Sequence, residues 1–213
     1  MRTPSCDAVT TLVIETATAA CSVALLDGGT TVAMRHELVG RGHAERLVPM
    51  IAELLAEAGV ARPDALLVDC GPGSFTGIRV GLAAARGFAL AWDAPVDGYS
   101  AMALIAAAAP PKEEMVAVAI TGGHGELFVQ RFARAPLAPL DALRSLAPAA
   151  AAEAIPERLV LGSGAEALVA ARGWGTAEER YPRAADAALL PPALAALSPS
   201  PIYGRAPDAV PPR

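Results

Sequence analysis

Residues 65–81 read Ala65-Leu66-Leu67-Val68-Asp69-Cys70-Gly71-Pro72-Gly73-Ser74-Phe75-Thr76-Gly77-Ile78-Arg79-Val80-Gly81. The apolar run 65–70 suits a buried central strand, and beyond Gly77 a helical pattern continues to about Trp92. Gly71, Gly73 and Gly77 allow positive φ and close backbone approach, while Ser74 or Thr76 can cap the helix through a side-chain oxygen. A strand therefore enters a glycine-rich turn and a helix leaves it.

Upstream, residues 9–14 are β-branched except Leu12 and end at Glu15, residues 20–26 follow a short Thr/Ala turn, and Asp27-Gly28-Gly29 signals a hairpin into a third strand over 30–38. The period then changes. Leu47, Met50, Ile51, Leu54, Leu55 and Ala58 recur at helical spacing opposite Glu53 and Glu57, and Gly59 stops the helix. Pro49 is expected in its first turn, where a missing N–H does least harm. Downstream, Pro95-Val96 opens another short strand. Three strands, helix, strand, helix, strand is the order of a ribonuclease-H-like lobe.

The second half reads less sharply. Residues 115–120 and 126–132 pair around Gly122-Gly123-His124-Gly125, 158–161 is a strand and 164–172 a short helix. From Tyr181 the chain is rich in Pro and Ala (Pro191-Pro192, Pro199, Pro201, Pro211-Pro212) and is expected to run irregularly over the surface. The expected division is a first lobe over 1–105 and a smaller second lobe with the Pro-rich tail over 106–213.

Composition narrows the function. The 213 residues are 54% hydrophobic but 4% aromatic, so Ala, Leu and Val supply the core. A chain of this length can bury roughly 70% of its unfolded surface without disulfides or metals. Seventeen basic against 22 acidic residues give a net charge of −5, which argues against direct, unaided nucleic-acid binding. Lys112 is the one lysine, a coding bias rather than a functional signal. Cys6, Cys21 and Cys70 are odd in number and lack CxxC spacing, against a disulfide framework or thiolate zinc site. The stretch Met1–Asp7 lacks the apolar core of a signal peptide, and no apolar span of about 18 residues occurs, so the expected location is the cytoplasm, away from membranes.

Several chemistries fail on spacing. Gly77 is followed by Ile78 and Arg79, not the Lys-Ser/Thr of a P-loop. Ser74 has Pro72 and Thr76 two positions away, where a nucleophile elbow needs glycines. His36, His43 and His124 form neither HExxH nor HxxxH. Two readings of the loop stay open, a turn with a helix cap and a helix terminus that attracts an anion. Gly77, Gly81 and Ala85 make a small-residue stripe that Phe88 and Trp92 extend, and Arg79 and Arg86 lie seven apart. That stripe suits packing inside the lobe or against another subunit. Glu15 at a strand end, and Gly162 and Gly164 after another, are candidate nucleotide contacts.

With these residues assembled, the chain resembles the YeaZ/TsaB family of tRNA threonylcarbamoyladenosine biosynthesis proteins, grouped with the glycoprotease-like M22 proteins. The resemblance rests on residues 12–25, on His43-Ala44-Glu45-Arg46-Leu47-Val48-Pro49-Met50-Ile51, and above all on Gly71-Pro72-Gly73-Ser74-Phe75-Thr76-Gly77-Ile78-Arg79-Val80-Gly81. Gly125-Glu126 and Pro201-Ile202-Tyr203-Gly204-Arg205 are weaker echoes. It implies an α/β fold of two ribonuclease-H-like lobes of the actin/Hsp70/sugar-kinase type, with the second lobe abbreviated. It also implies a non-catalytic partner of TsaD, reached with the ATPase TsaE, in threonylcarbamoyl transfer to N6 of adenosine 37 in tRNAs reading ANN codons. ATP and metal then belong to the partners, tRNA is met indirectly, and the free chain can form a homodimer. Under this resemblance the interface comprises Gly77, Arg79, Val80, Gly81, Ala84, Ala85 and Phe88 with Leu47, Met50 and Leu54. The catalytic paralogue carries an HxxxH metal pair where this chain has Val96-Asp97-Gly98-Tyr99-Ser100-Ala101-Met102-Ala103. Glu15 stands where the fold usually has Asp, and Thr121-Gly122-Gly123-His124 where the family has an Asp-Ala-Arg-type turn. An ATP-dependent phosphotransferase of the same superfold is the alternative.

Overall fold

The structure, a computed structural model, describes residues 9–204. Cys6, the stretch Met1–Asp7, Arg205 and Pro211-Pro212 lie outside the described residues. Strands β1 (Thr10–Glu15), β2 (Ala20–Asp27) and β3 (Thr30–Leu38) form the antiparallel meander that the hairpin signal predicts. Strands β4 (Ala65–Asp69) and β5 (Val96–Tyr99) add parallel to β1, giving the order β3-β2-β1-β4-β5. Parallel neighbours need crossover connections, which α1 (His43–Ala58) and α2 (Phe75–Trp92) supply. Leu12, Ile14 and Leu25 of the sheet and Leu47, Met50 and Leu54 of α1 are all fully buried together. The expected ribonuclease-H-like lobe is formed.

Helix α1 begins earlier than expected, at His43, so Pro49 lies inside it rather than in its first turn. Two anchors draw the helix back to residue 43. The His43 ring contacts the Ala20 carbonyl oxygen at 3.1 Å, and Arg46 donates to Glu37 of β3 (2.6 Å) and Glu53 (2.8 Å). Pro49 leaves the Glu45 carbonyl without its helical donor, on a side of the helix where both residues are exposed.

The second sheet runs β11-β10-β6-β7-β8, with β9 also on β7. Strands β6 (Met115–Thr121) and β7 (Leu127–Arg134) form its antiparallel centre. Strands β8 (Leu137–Pro139), β9 (Arg144–Leu146), β10 (Leu159–Leu161) and β11 (Thr176–Glu178) have three residues each, so this lobe is abbreviated. Helix α3 (Ala101–Ala107), with residues 101–106 buried, packs on β6, β7 and β8 of the second sheet and on the tail turn at 184–189, while α4 (Pro148–Ala154) and α5 (Ala165–Arg172) also lie on the second sheet. Sequence patterning missed α3, α4, β8, β9 and β11. The helices α3 and α4 are apolar or Ala-rich all round and show no stripe, and three-residue strands are too short to alternate.

The tail is irregular, as expected, yet it is not confined to the surface. After β11 the chain returns to the first lobe, where Ala184, Ala187 and Leu190 are buried. Ala184 N donates to Ser22 Oγ at 3.1 Å, Leu197 and Gly98 exchange backbone hydrogen bonds, and Ile202 N donates to the Cys70 carbonyl oxygen at 2.7 Å. Proline-rich composition describes the backbone conformation of this segment and says nothing of the alanines that its turns press onto β2.

Candidate functional site

The glycine-rich loop is stitched to the β1–β2 turn. Gly71, at φ +100°, gives its N–H to Asp69 Oδ1 (2.9 Å) and takes the N–H of Ala101 on its carbonyl oxygen (3.1 Å). Ser74 N donates to the Ala17 carbonyl oxygen at 2.6 Å, and Ser74 Oγ accepts from Gly77 N at 3.2 Å, capping α2. Thr16 Oγ1 donates to the Gly77 carbonyl oxygen at 2.8 Å. A Cβ on Gly73 would stand 2.0 Å from the Ala17 carbonyl oxygen, and one on Gly77 2.1 Å from that of Thr16. The glycines serve close approach of two backbone segments.

Beneath the loop lie two carboxyl groups with no exposure, Glu15 at the end of β1 and Asp69 at the end of β4. Glu15 Oε1 accepts from Ala17 N at 2.9 Å, and Glu15 Oε2 lies 3.1 Å from Tyr99 Oη. Asp69 Oδ2 is buried with no hydrogen-bond partner. Burial, and then the charge of Asp69, push the Glu15 carboxyl well above its ordinary range. Burial likewise pushes Asp69 up to about 7. Burial also raises the thiols of Cys21 and Cys70 to about 11, so they are inert packing groups at neutral pH.

A cleft of about 990 Å³ opens between the lobes. Ala17, Thr18, Ser74, Phe75 and Arg79 line one side, Thr121, Gly122, His124 and Ser163 the other, and Tyr203 of the tail joins them. The Arg79 guanidinium lies 3.5 Å over the Phe75 ring and donates to Tyr203 Oη from Nε (3.3 Å) and Nη2 (3.1 Å). Phe75 and Tyr203 stack at 5.8 Å. This exposed latch holds the tail against α2. Tyr203→Ala is expected to lower stability by only about 1 kcal/mol while speeding limited proteolysis between residues 197 and 204. Unchanged cleavage there would reject the latch.

The outer face of α2 presents Phe75, Arg79, Ala83, Arg86 and Leu90, with Leu90 88% exposed. Arg86 Nη2 reaches the Pro199 carbonyl oxygen at 2.8 Å, so the tail covers one edge of this face. The remainder is made of small side chains, Val80, Ala83, Ala84 and Gly87, and a Cβ on Gly87 would meet nothing within 4 Å.

The same architecture occurs in YeaZ from Pseudomonas aeruginosa, which superposes with a TM-score of 0.78 at 30% identity, over 92% of this chain and 99% of that one. The chain belongs to the YeaZ/TsaB family. A second Pseudomonas aeruginosa structure, described as similar to peptidase YeaZ, gives a TM-score of 0.79 at 30% identity over 92% of this chain and all of that one. The tRNA threonylcarbamoyladenosine biosynthesis protein TsaB of Escherichia coli K12 is 40% identical over 127 residues, 58% of this chain and 54% of that protein. The Haemophilus influenzae TsaB is 41% identical over 130 residues. The matched stretch spans about half the length of these curated relatives. The pattern of the TsaD family, tRNA N6-adenosine threonylcarbamoyltransferase, matches residues 34–135.

In this YeaZ/TsaB-family chain the residues singled out by sequence divide by burial. The signature loop 71–77 is one structural unit. Of the expected interface, Arg79 is exposed and Val80, Ala84 and Phe88 are partly so. Leu47, Met50, Leu54, Gly77, Gly81 and Ala85 are instead buried within the lobe, which corrects their assignment to a partner surface. A Cβ on Gly81 would stand 2.4 Å from Thr16 Oγ1, so bulk there strikes the fold and cannot serve as a test of docking alone. The small-residue stripe faces β1, while the face turned outward is a neighbouring strip of the same helix. Glu15 is corrected too, because its carboxyl points into the core and does not line the cleft. Gly162 and Gly164 are buried against the Ala119 carbonyl oxygen and Leu127, and Ser163 between them reaches the cleft. In the stretch 96–103, Tyr99 is core and Ser100 Oγ caps α3 by accepting from Met102 N at 3.2 Å. Among the described residues no three His, Cys, Asp or Glu side chains converge on a metal-sized site, and no helix is long and apolar enough to cross a membrane. Sequence reading passed over Asp69, Tyr99, Ala83 and Gly87. Of these only Gly87, a glycine inside a helix, carried a signal.

Proposed function

We propose that this chain is the non-catalytic partner of a TsaD-type paralogue in threonylcarbamoyl transfer to N6 of adenosine 37 in tRNAs that read ANN codons. The observation that carries the reading is the outer face of α2. Val80, Ala83, Ala84 and Gly87 form a shallow apolar strip between Phe75 and Leu90, and small residues let a second helix approach closely. That strip lies on the helix that follows the family's signature loop. The names of its relatives and the match to the TsaD pattern support the pathway. The net charge of −5 fits a subunit that leaves tRNA contact to its partners. TsaD then supplies metal and catalysis, TsaE joins through the complex with ATP, and the assembly works in the cytoplasm. When the chain is alone, the same α2 face makes a homodimer.

Light scattering behind size exclusion, on this chain alone and mixed with its cognate TsaD, tests the proposal. A one-to-one complex that replaces any homodimer is expected. Separate elution across salt and nucleotide conditions would reject it. The interlobe cleft favours the second reading, an ATP-dependent phosphotransferase. Against it, the strand-end carboxylate Glu15 is buried away from that cleft. Calorimetry with Mg-ATP on the isolated chain separates the two, and micromolar affinity would favour the phosphotransferase.

A further inference from the structure

Count the protons around Tyr99 Oη. The hydroxyl has one hydrogen and two oxygen neighbours, the Ile14 carbonyl oxygen at 3.0 Å and Glu15 Oε2 at 3.1 Å. A carbonyl can only accept. If Tyr99 donates to Ile14, a second hydrogen bond forms only when Glu15 Oε2 itself carries a proton and donates to Oη. If Glu15 were ionised, one of the two contacts would lack a hydrogen, in a place with no exposure to water. The other Glu15 oxygen is already matched, since Oε1 accepts from Ala17 N.

The neighbours of the carboxyl point the same way. From β4 it faces Asp69, from β5 Tyr99, and Cys21 of β2 and Cys70 lie in the same buried layer. Among the described residues no Lys, Arg or His forms an ion pair with Glu15 or Asp69. Two negative charges without a cation in a dry layer are costly, and retaining one proton removes that cost.

We propose that Glu15 is held as a neutral carboxylic acid at neutral pH, donating from Oε2 to Tyr99 Oη, and that this proton is part of the clamp on the signature loop. The connection to the loop is direct. Glu15 Oε1 positions Ala17 N–H, the Ala17 carbonyl oxygen receives Ser74 N–H, and Asp69 Oδ1 receives Gly71 N–H. Loss of the proton places two carboxylates under the point where α2 begins. The clamp is therefore strongest in mild acid and loosens as pH rises.

The linkage has a definite sign. A carboxyl raised in the folded state holds its proton while the unfolded chain has released it, so its contribution is full below the ordinary value, 4.5 for Glu15, and is lost as pH rises toward the folded value. Across that window the unfolding constant of the wild-type chain grows, relative to Glu15→Gln, by up to about tenfold per pH unit. Glutamine keeps an acceptor for Ala17 N–H and a donor for Tyr99 Oη while removing the titration.

Two measurements test the proposal. The first is carbon-13 NMR of the Glu15 side-chain carboxyl in the full wild-type chain, assigned through bonds and titrated from pH 4 to 9. Its resonance is expected to remain that of a protonated acid at pH 7, while exposed glutamates have already titrated. A Glu15 titration in the ordinary carboxylate range would overturn the proposal. The second is urea unfolding of wild type and Glu15→Gln against pH, where the ratio of unfolding constants is expected to be flat below pH 4 and to climb above it. A ratio independent of pH would overturn it equally. The NMR arm needs no variant, so it decides the question even if Glu15→Gln fails to fold.

Discussion

Gly77→Ala is expected to destabilise the first lobe by about 3 kcal/mol or more, where helix propensity alone would stabilise it by about 1 kcal/mol. The sign reverses because the added Cβ would stand 2.1 Å from the Thr16 carbonyl oxygen, and neither side can retreat. Thr16 Oγ1 is bonded to the Gly77 carbonyl oxygen, and the adjacent Ala17 carbonyl oxygen holds Ser74 N–H. Moving α2 and its Ser74 cap outward to admit a methyl breaks both contacts to the β1–β2 turn. Urea unfolding of the two chains checks this. An alanine variant as stable as wild type would show that α2 is not held against the β1–β2 turn as described.

Gly87→Arg, ten residues along the same helix, is expected to behave oppositely. Its Cβ meets nothing within 4 Å, so the fold accepts the side chain and gains about 1 kcal/mol from replacing a helical glycine. A charged side chain set into the small-residue strip prevents close approach of a second helix. Affinity for the TsaD-type partner is therefore expected to fall by about thirtyfold or more, as at a central interface position, and any homodimer should dissociate. Light scattering and a thermal melt on one sample read both effects. Undiminished binding would remove the outer face of α2 from the interface. The contrast between Gly77 and Gly87 separates damage to the fold from damage to docking.

Much of the first lobe was legible because its physics is local. The hairpin at Asp27-Gly28-Gly29, the apolar run into Asp69, the stripe from Leu47 to Ala58 and the stop at Gly59 each leave a mark in the sequence. The signature loop was legible as a strand–turn–helix junction. Pro49 misled because it predicts where a helix can begin most cheaply, whereas His43 and Arg46 hold α1 from further back through Ala20 and Glu37. Helix α3 was invisible because a helix buried on every side has no amphipathic period.

The candidate site divides in the same way. That Gly81 and Ala85 lie on one stripe follows from 3.6 residues per turn, but whether that stripe faces β1 or a partner depends on which element arrives against it. Glu15 at a strand end reads as a candidate nucleotide contact, and its turn into the core is set by Tyr99, 84 positions away.

What the sequence by itself determined was the order of elements in the first lobe, the signature loop and the family resemblance, together with the absence of P-loop, elbow and paired-histidine chemistry. These depend on residue types at short fixed spacing. Only the tertiary structure decided which face of α2 is free, how the tail returns to the first lobe, and that two carboxyls and a tyrosine share one buried layer. Those outcomes depend on residues distant in sequence meeting in space, where burial sets both which surface a partner can reach and which group must keep its proton.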